Sequence, residues 1–385
     1  MGVVSALGGN VGETLGSLAA PRVYAAPVTR FETSLRCPVM EVLRPLACPA
    51  GIVSPSRTLQ LALTALAEAL ADAGNPHLTP GLRLGVCLGT TVASQLNSLP
   101  FYDAFRRTGT PPLEPVQAFL DGNLAEAVAR HLGANGPRAT VVNACSSGAD
   151  AIGLGMNWLA AGLCDAVVAG GADELNRVPL AGFYSLGIVS DTPCQPFDRH
   201  RRGLNLGEGA GILIVETAAS ARSRGLDPTL AVAGFGAACD AYHLTAPHPE
   251  GIGLQAAVAT ALAGAAIGPE EIAFVNAHGT GTPDNDAVEG KVLSRLFGPA
   301  LHYLSTKGLT GHTLGAAGGI EAVLTALGLR EGWVPASAGC TEPDPAIPIA
   351  PTAARTRIDG RYALSTSLAF GGNNAALVLA VTDQV

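Results

Sequence analysis

Apolar positions recur along the chain in two rhythms, one helical and one of short strand-like runs. Leu59, Leu61, Leu63, Leu66 and Leu70 follow Ser54-Pro55 and stop at Gly74, which predicts a capped amphipathic helix. Short apolar runs predict strands at Leu82 to Leu88, 165–169 and 211–215, with a helix around 115–131 before the β-branched run that leads to Cys145. Further strands are expected at 229–235, 272–276, 301–305, 362–368 and 375–381, and helices near 253–264, 286–296 and 312–330. Strands alternating with helices make this an α/β chain with largely parallel sheets. The stretch Ala149 to Ala161 is apolar on every side, so it is expected to be buried.

Two parts of the pattern echo each other. Val141 to Ala161 and Tyr303 to Leu327 both run from strand through turn into a helix rich in Ala and Gly. Leu206-Gly207-Glu208-Gly209-Ala210-Gly211 followed by Ile212 to Val215 resembles Phe370-Gly371-Gly372-Asn373-Asn374-Ala375 followed by Ala376 to Leu379. This predicts two related halves, 1–227 and 228–385, packed through small-residue helices. No linker-like or low-complexity stretch divides the 385 residues.

Composition narrows the function. Apolar residues make up 48% and charged residues 14%, with 48 glycines, enough for a large and closely packed interior. Mean hydropathy is positive, yet no apolar run approaches the roughly 18–20 residues that span a bilayer, and the first residues lack the pattern of a secretory signal. The eight cysteines are scattered without metal-ligand spacing, so neither a zinc site nor a disulfide framework is expected, and reduced thiols in a cytoplasm are. A net charge of −8 argues against general nucleic-acid binding. Lysine occurs only at 291 and 307.

Cys145 lies where the run Ala139 to Val142 meets the small-residue helix. The helix start favours a thiolate, and its unpaired N–H groups can hold an oxyanion beside the sulfur, making Cys145 the candidate nucleophile. A free cysteine alone is more often a small buried hydrophobe. Two histidines in similar settings change the balance: His278 directly after an apolar strand at a Gly/Thr-rich turn, and His312 near the start of a helix. A helix start disfavours imidazolium, so neutral His312 can donate an N–H to a developing oxyanion.

Asn143-Ala144-Cys145-Ser146-Ser147-Gly148, His278-Gly279-Thr280-Gly281-Thr282-Pro283 and Lys307-Gly308-Leu309-Thr310-Gly311-His312 together resemble, in the same order, the active-site motifs of β-ketoacyl-acyl-carrier-protein synthases. The likeness continues through Pro196-Phe197-Asp198-Arg199, Gly234-Phe235-Gly236, Asp240-Ala241-Tyr242-His243 and Phe370-Gly371-Gly372-Asn373-Asn374, and is strong from about residue 80 onward. It implies a thiolase-like αβαβα fold of two similar halves, normally dimeric, with an acyl tunnel near the subunit interface. It also implies decarboxylative condensation, with an acyl group on Cys145, an oxyanion hole from the N–H groups of Cys145 and Phe370, and enolate stabilisation by His278 and His312. In the related thiolases a second cysteine serves as acid and base, so the histidine pair argues for the decarboxylative reaction.

By the same resemblance Lys307 pairs with a glutamate after the first histidine, a position held here by Glu289. The phosphopantetheine arm, which enters as part of the carrier-protein substrate rather than as a separate cofactor, meets Thr280 and Thr282, with Thr245 and Asp240 as further candidates. Phe183, Tyr184, Leu186, Phe101 and Phe105 are candidates for the tunnel lining, and Arg106, Arg107, Arg177, Arg201 and Arg202 for docking an acidic carrier protein. The partner is a second copy or a second ketosynthase-like subunit, and a non-catalytic chain-length-factor-like role is the alternative, although such partners typically lack the cysteine. Three features depart from the family pattern: Ala369 replaces the usual Gly before Phe370 and should restrict that loop, Asn285 replaces a Gly but can still be left-handed, and the usual first strand is missing. Ala369 and Asn285 point to the aryl-polyene-type subgroup.

Overall fold

The computed structural model describes residues 1–46, 56–91, 99–114, 116 and 123–382. Strands β1 (Gly2–Val4), β2 (Leu84–Gly89), β3 (Arg138–Val141), β4 (Ala166–Asp173) and β5 (Gly209–Glu216) form one sheet in the order β1-β5-β4-β2-β3. After β6 (Leu230–Cys239), β7 (Ile272–Asn276) and β8 (His302–Leu304), a small ribbon pairs β9 (Trp333–Val334) with β10 (Thr356–Arg357). With β11 (Tyr362–Ala369) and β12 (Asn373–Val381), the second sheet is ordered β6-β12-β11-β7-β8. Counted within its own set of five, each sheet runs first, fifth, fourth, second, third, so the faint echo in sequence is a repeated topology.

Successive side chains of a strand point to opposite faces, and the long strands use both. In β4, Val167 and Ala169 join a central apolar cluster with Ile152, Ile320 and Val323, whereas Ala166 and Val168 join an outer one with Leu61, Leu66 and Val128. In β12, Leu377 and Leu379 face the centre, while Ala376 and Val378 face an outer cluster with Leu254, Val258 and Leu293. Each sheet therefore lies between helices on both faces, giving five layers, αβαβα. Among the described residues no helix is long and apolar enough to cross a membrane.

Several expectations need correction. The sheets are mixed rather than largely parallel: β1/β5, β5/β4, β6/β12 and β12/β11 are antiparallel, and the other four pairings are parallel. The three residues between β11 and β12 leave no room for the crossover that parallel neighbours require. The first strand is not missing, because β1 pairs with β5 from Gly2↔Ile212 to Val4↔Ala210. Its three residues are too few to show a period. The first amphipathic helix, Arg57–Asp72, is capped by Ser56, whose hydroxyl accepts the Leu59 N–H at 3.2 Å; the proposed cap at Ser54-Pro55 lies outside the described residues. The helix expected around 115–131 is described from Leu124 to Leu132, and most of the stretch before it also lies outside.

Two helices fill the central layer, Ser147–Ala160 and Ala317–Glu331. Every residue from Ala317 to Leu329 is buried, whereas Asn157 and Ala160 are exposed, so the first helix is enclosed only in its first half. The two cross on glycine: a Cβ on Gly148 would lie 2.7 Å from Gly319 N, and one on Gly318 would lie 2.5 Å from Ala149 N. Any larger residue at this crossing would force the backbones apart. That contact brings the N-terminal ends of the two helices together, and with them Cys145 and His312.

Candidate active site

Each central helix is entered through a turn in which a residue other than glycine is left-handed, Ala144 (φ 49°) and Leu314 (φ 53°). Such a conformation is costly and persists where neighbours hold it. At the first turn Asp150 accepts from Asn143 Nδ2 at 2.7 Å and from the Ser146 hydroxyl at 2.8 Å, and the Ser147 hydroxyl accepts the Asn143 N–H at 2.8 Å. Cys145 sits on the 3-10 turn Ala144–Ser146 that these contacts fix. Its sulfur lies 3.0 Å from His312 Nε2 and accepts the Phe370 N–H.

The histidines are held as donors. Leu314 N–H donates to His312 Nδ1 at 3.3 Å, and the Lys307 ammonium faces His278 Nδ1 at 3.2 Å. With each Nδ1 accepting, the proton of each neutral ring belongs on Nε2. Burial, and then the Lys307 charge, hold both well below the ordinary histidine range, so both rings are neutral. The rings stand nearly perpendicular with centroids 5.3 Å apart.

The thiolate expectation is reversed in this closed pocket. Burial pushes the Cys145 thiol up to about 12; Lys307 opposes this, while Asp173 and Glu321 add to it. The resting group is the thiol.

Lys307 does not pair with Glu289. Its ammonium pairs with Glu321 on the second central helix and donates to the His278 carbonyl at 2.6 Å. Glu289 instead accepts the His278 and Gly279 N–H groups at 2.8 Å each and the Thr366 hydroxyl at 2.7 Å, bracing the histidine loop through its backbone. Burial raises Glu321 to about 7 against the pull of Lys307. Sequence reasoning missed Glu321, although it is the one charged residue between Ala317 and Leu329.

A cavity of about 190 Å³ is lined by Cys145, His278, His312, Phe370, Thr280 and Thr282 among others, and Thr245 and Asp240 also reach it. The Thr280 and Thr282 hydroxyls are 2.8 Å apart. Asp240 is less available than expected, because its carboxylate accepts the His248 and Gly253 N–H groups at 2.9 Å each and Asn374 Nδ2 at 3.1 Å. Phe183 stacks on Phe370 with centroids 5.4 Å apart and meets His312 edge-on, and Leu186 lines the same cavity.

The matching sequence models identify the family: "Beta-ketoacyl synthase, N-terminal domain" over residues 53–221 and "Beta-ketoacyl synthase, C-terminal domain" over residues 230–341. The chain belongs to the β-ketoacyl synthase family. A 3-oxoacyl-[acyl-carrier-protein] synthase 2 of Staphylococcus aureus is 36% identical over 84% of this chain and 81% of its own length. One from Coxiella burnetii is 33% identical over 98% and 96%. Among solved structures, the ishigamide ketosynthase/chain length factor aligns with a TM-score of 0.91 at 31% identity, covering 99% of this chain and 98% of that one. The ketosynthase ApeO in complex with its chain length factor ApeC from Xenorhabdus doucetiae aligns with a TM-score of 0.84 at 34% identity, covering 99% and 96%. The fold is thus the thiolase-like one of the ketosynthases.

Other candidates of this β-ketoacyl synthase fall elsewhere. Phe101 and Phe105 stack on each other on the helix Leu99–Thr108, away from the Cys145 cavity, and Tyr184 is exposed. Arg201 is a partly buried brace that pairs with Asp344 at 2.5 Å and donates to the Pro283 carbonyl at 3.0 Å. Arg106, Arg107, Arg177 and Arg202 are exposed. Ala369 remains in the extended β11 because Gly371 (φ 85°) and Gly372 (φ 77°) make the left-handed turn. Asn285 is helical, in the first turn of Pro283–Phe297, and donates to Asp286 at 3.1 Å.

Proposed function

We propose that this chain condenses an acyl group held on Cys145 with malonyl-acyl carrier protein, releasing carbon dioxide and a β-ketoacyl-acyl carrier protein. The observation that carries the reading is one sulfur 3.0 Å from His312 Nε2, with the His278 ring beside it and both Nδ1 atoms facing donors. Cys145 attacks the thioester of the incoming acyl carrier; the C–S bond to the carrier breaks, and the thiol proton leaves with the carrier's sulfur. The N–H groups of Cys145 and Phe370 hold the oxyanion of that step. Loss of carbon dioxide from the malonyl thioester leaves an enolate, whose oxygen the Nε2–H groups of His278 and His312 stabilise. Its carbon attacks the acyl-Cys145 carbonyl, the C–Sγ bond breaks, and the departing thiolate takes up a proton from solvent.

Thr280 and Thr282 offer paired hydroxyls to the amides of a phosphopantetheine arm, and Thr245 stands at the mouth of the cavity. Arg106, Arg107, Arg177 and Arg202 offer charge to an acidic carrier protein. Among the similar solved structures are ketosynthases with chain length factors and a type II acyl-carrier protein in complex with its ketosynthase. A second subunit, either a copy or a ketosynthase-like partner, suits the edge strand β3, directly after which Val142 is 61% exposed. The alternative of a non-catalytic partner has no use for the retained Cys145, His278, His312 and Lys307.

The test is to incubate the purified chain with acyl- and malonyl-carrier proteins, alone and with a candidate second subunit, and to follow carrier masses. A β-ketoacyl carrier is the expected product. No product in either arm, with the chain folded, contradicts the reading and favours the non-catalytic role.

A further inference from the structure

Asp173 ends β4, is fully buried and takes no part in the chemistry above. Its carboxylate accepts the Gly315 N–H at 2.7 Å, the Thr90 and Thr91 hydroxyls at 2.8 Å each and the Thr91 N–H at 2.9 Å. Gly315 directly follows left-handed Leu314, and Leu314 supplies the N–H that occupies His312 Nδ1. His312 is itself fixed at its backbone, donating to the Asn205 carbonyl at 2.7 Å and accepting the Gly207 N–H at 3.0 Å. The peptide that carries the Leu314 N–H is held at its other end, where the Thr313 carbonyl accepts the Ala316 N–H at 3.0 Å, and Asp173 grips the next peptide along.

The repeat of the fold sharpens the point. Cys145 follows left-handed Ala144 as Gly315 follows left-handed Leu314, and β11 ends on Ala369 where β4 ends on Asp173. The carboxylate stands beside the turn that carries no nucleophile. A Cβ on Gly315 would lie 2.8 Å from Asp173 Oδ2, so the two are closely fitted.

We infer that Asp173 is a positioning residue for the decarboxylation half-reaction: by holding the Gly315 N–H it keeps Leu314 left-handed, and the Leu314 N–H keeps the His312 proton on Nε2. The proposal rests on the reading of His312 as an enolate donor. Losing the grip lets the turn relax, frees Nδ1 to carry the proton and removes a donor from the enolate. Acyl transfer to Cys145 depends on other N–H groups, and the Asp173 charge opposes rather than aids ionisation of that thiol.

The experiment compares full-length wild type, Asp173→Ala and Asp173→Asn, each checked for folding by thermal melting. Two rates are measured, Cys145 acylation and malonyl-carrier decarboxylation, and the His312 ring nitrogens are observed by ¹⁵N NMR. The expected result for Asp173→Ala is a fall in decarboxylation on the order of 100-fold, the loss of one oriented donor, with a much smaller fall in acylation and ¹⁵N shifts moving away from the Nε2–H tautomer. Asp173→Asn keeps the shape and one accepting oxygen; it shifts the same readouts less, and decides the matter if the alanine variant does not fold. A folded variant with wild-type His312 shifts and an unchanged ratio of the two rates overturns the proposal. A wild-type chain that neither acylates nor decarboxylates overturns the enolate-donor reading beneath it, a result distinguishable because it appears before any substitution.

Discussion

The two halves share a topology and a left-handed entry to their central helix, but differ in what stands at that turn and in what covers their edge strands. Cys145 opens into the cavity; Gly315, its counterpart, is bonded to Asp173 and closed. On β8, the Tyr303 hydroxyl donates to the Ile349 carbonyl at 2.8 Å and the Tyr303 carbonyl accepts the Thr352 N–H at 2.7 Å, so the strand is covered by its own chain. On β3 the residues from Ala139 to Val141 are only partly buried, and Val142 is exposed. One scaffold has thus been used twice, once to carry Cys145 beside a partly buried edge strand and once to carry the groups that surround it. The Cys145 sulfur comes from the first half; both histidines, Lys307 and Glu321 come from the second.

The largest effect should come from Cys145→Ala, which removes the feature that the closed turn lacks. Acyl transfer is expected to fall by about 10⁴-fold or more, as when an essential nucleophile is removed, with an unchanged melting profile. Transfer at the wild-type rate would assign the nucleophile elsewhere. Next is His312→Ala, expected to lower malonyl decarboxylation by about 10²–10³-fold, the scale of one lost oxyanion donor, and to spare acylation more. Equal losses in the two rates would contradict separate roles for the two halves' contributions.

Lys307→Met should act on stability. It leaves Glu321 buried without its cation, a loss of about 3–5 kcal/mol when the carboxylate is charged. Burial raises Glu321 to about 7 even with the cation beside it, and losing Lys307 raises it further, so proton uptake should make the cost smaller at pH 6 than at pH 8. Urea unfolding at both pH values checks the sign; a loss that grows on acidification would place the charge differently.

The convergence of these three motifs on one site was legible in the sequence because each lies where a strand passes through a turn into a helix, and such ends converge in an α/β fold. Partnership was less legible. Glu289 and Glu321 are both fully buried carboxylates, and spacing along the chain does not tell which one faces Lys307 and which one turns to backbone N–H groups. Glu321 was visible only as a solitary charge in an apolar helix. The thiol's pKa also depends on enclosure, which helix position alone does not reveal, and Arg201 has the sequence character of a surface cation while it is spent on Asp344 and backbone carbonyls. The three-residue β1 was too short to carry a pattern at all.

The smallest expected effect is a flat one. Both histidines are held well below their ordinary range, so they stay neutral as pH falls through about 6.5, the ordinary histidine value, and decarboxylation should show no histidine limb there. Their folded-state pKa values are depressed, so acid instead costs stability below that pH, as the unfolded chain takes up the protons first. A rate profile that halves near 6.5 without loss of fold would mean that at least one ring titrates freely.

The most direct measurement of the central claim is intact-protein mass spectrometry after incubation with a panel of acyl carrier proteins, followed by peptide mapping. An acyl mass confined to the peptide containing Cys145 is the predicted result, whether from the chain alone or only with a second subunit present. An acyl mass on another cysteine, or none with a folded chain under both conditions, would contradict it.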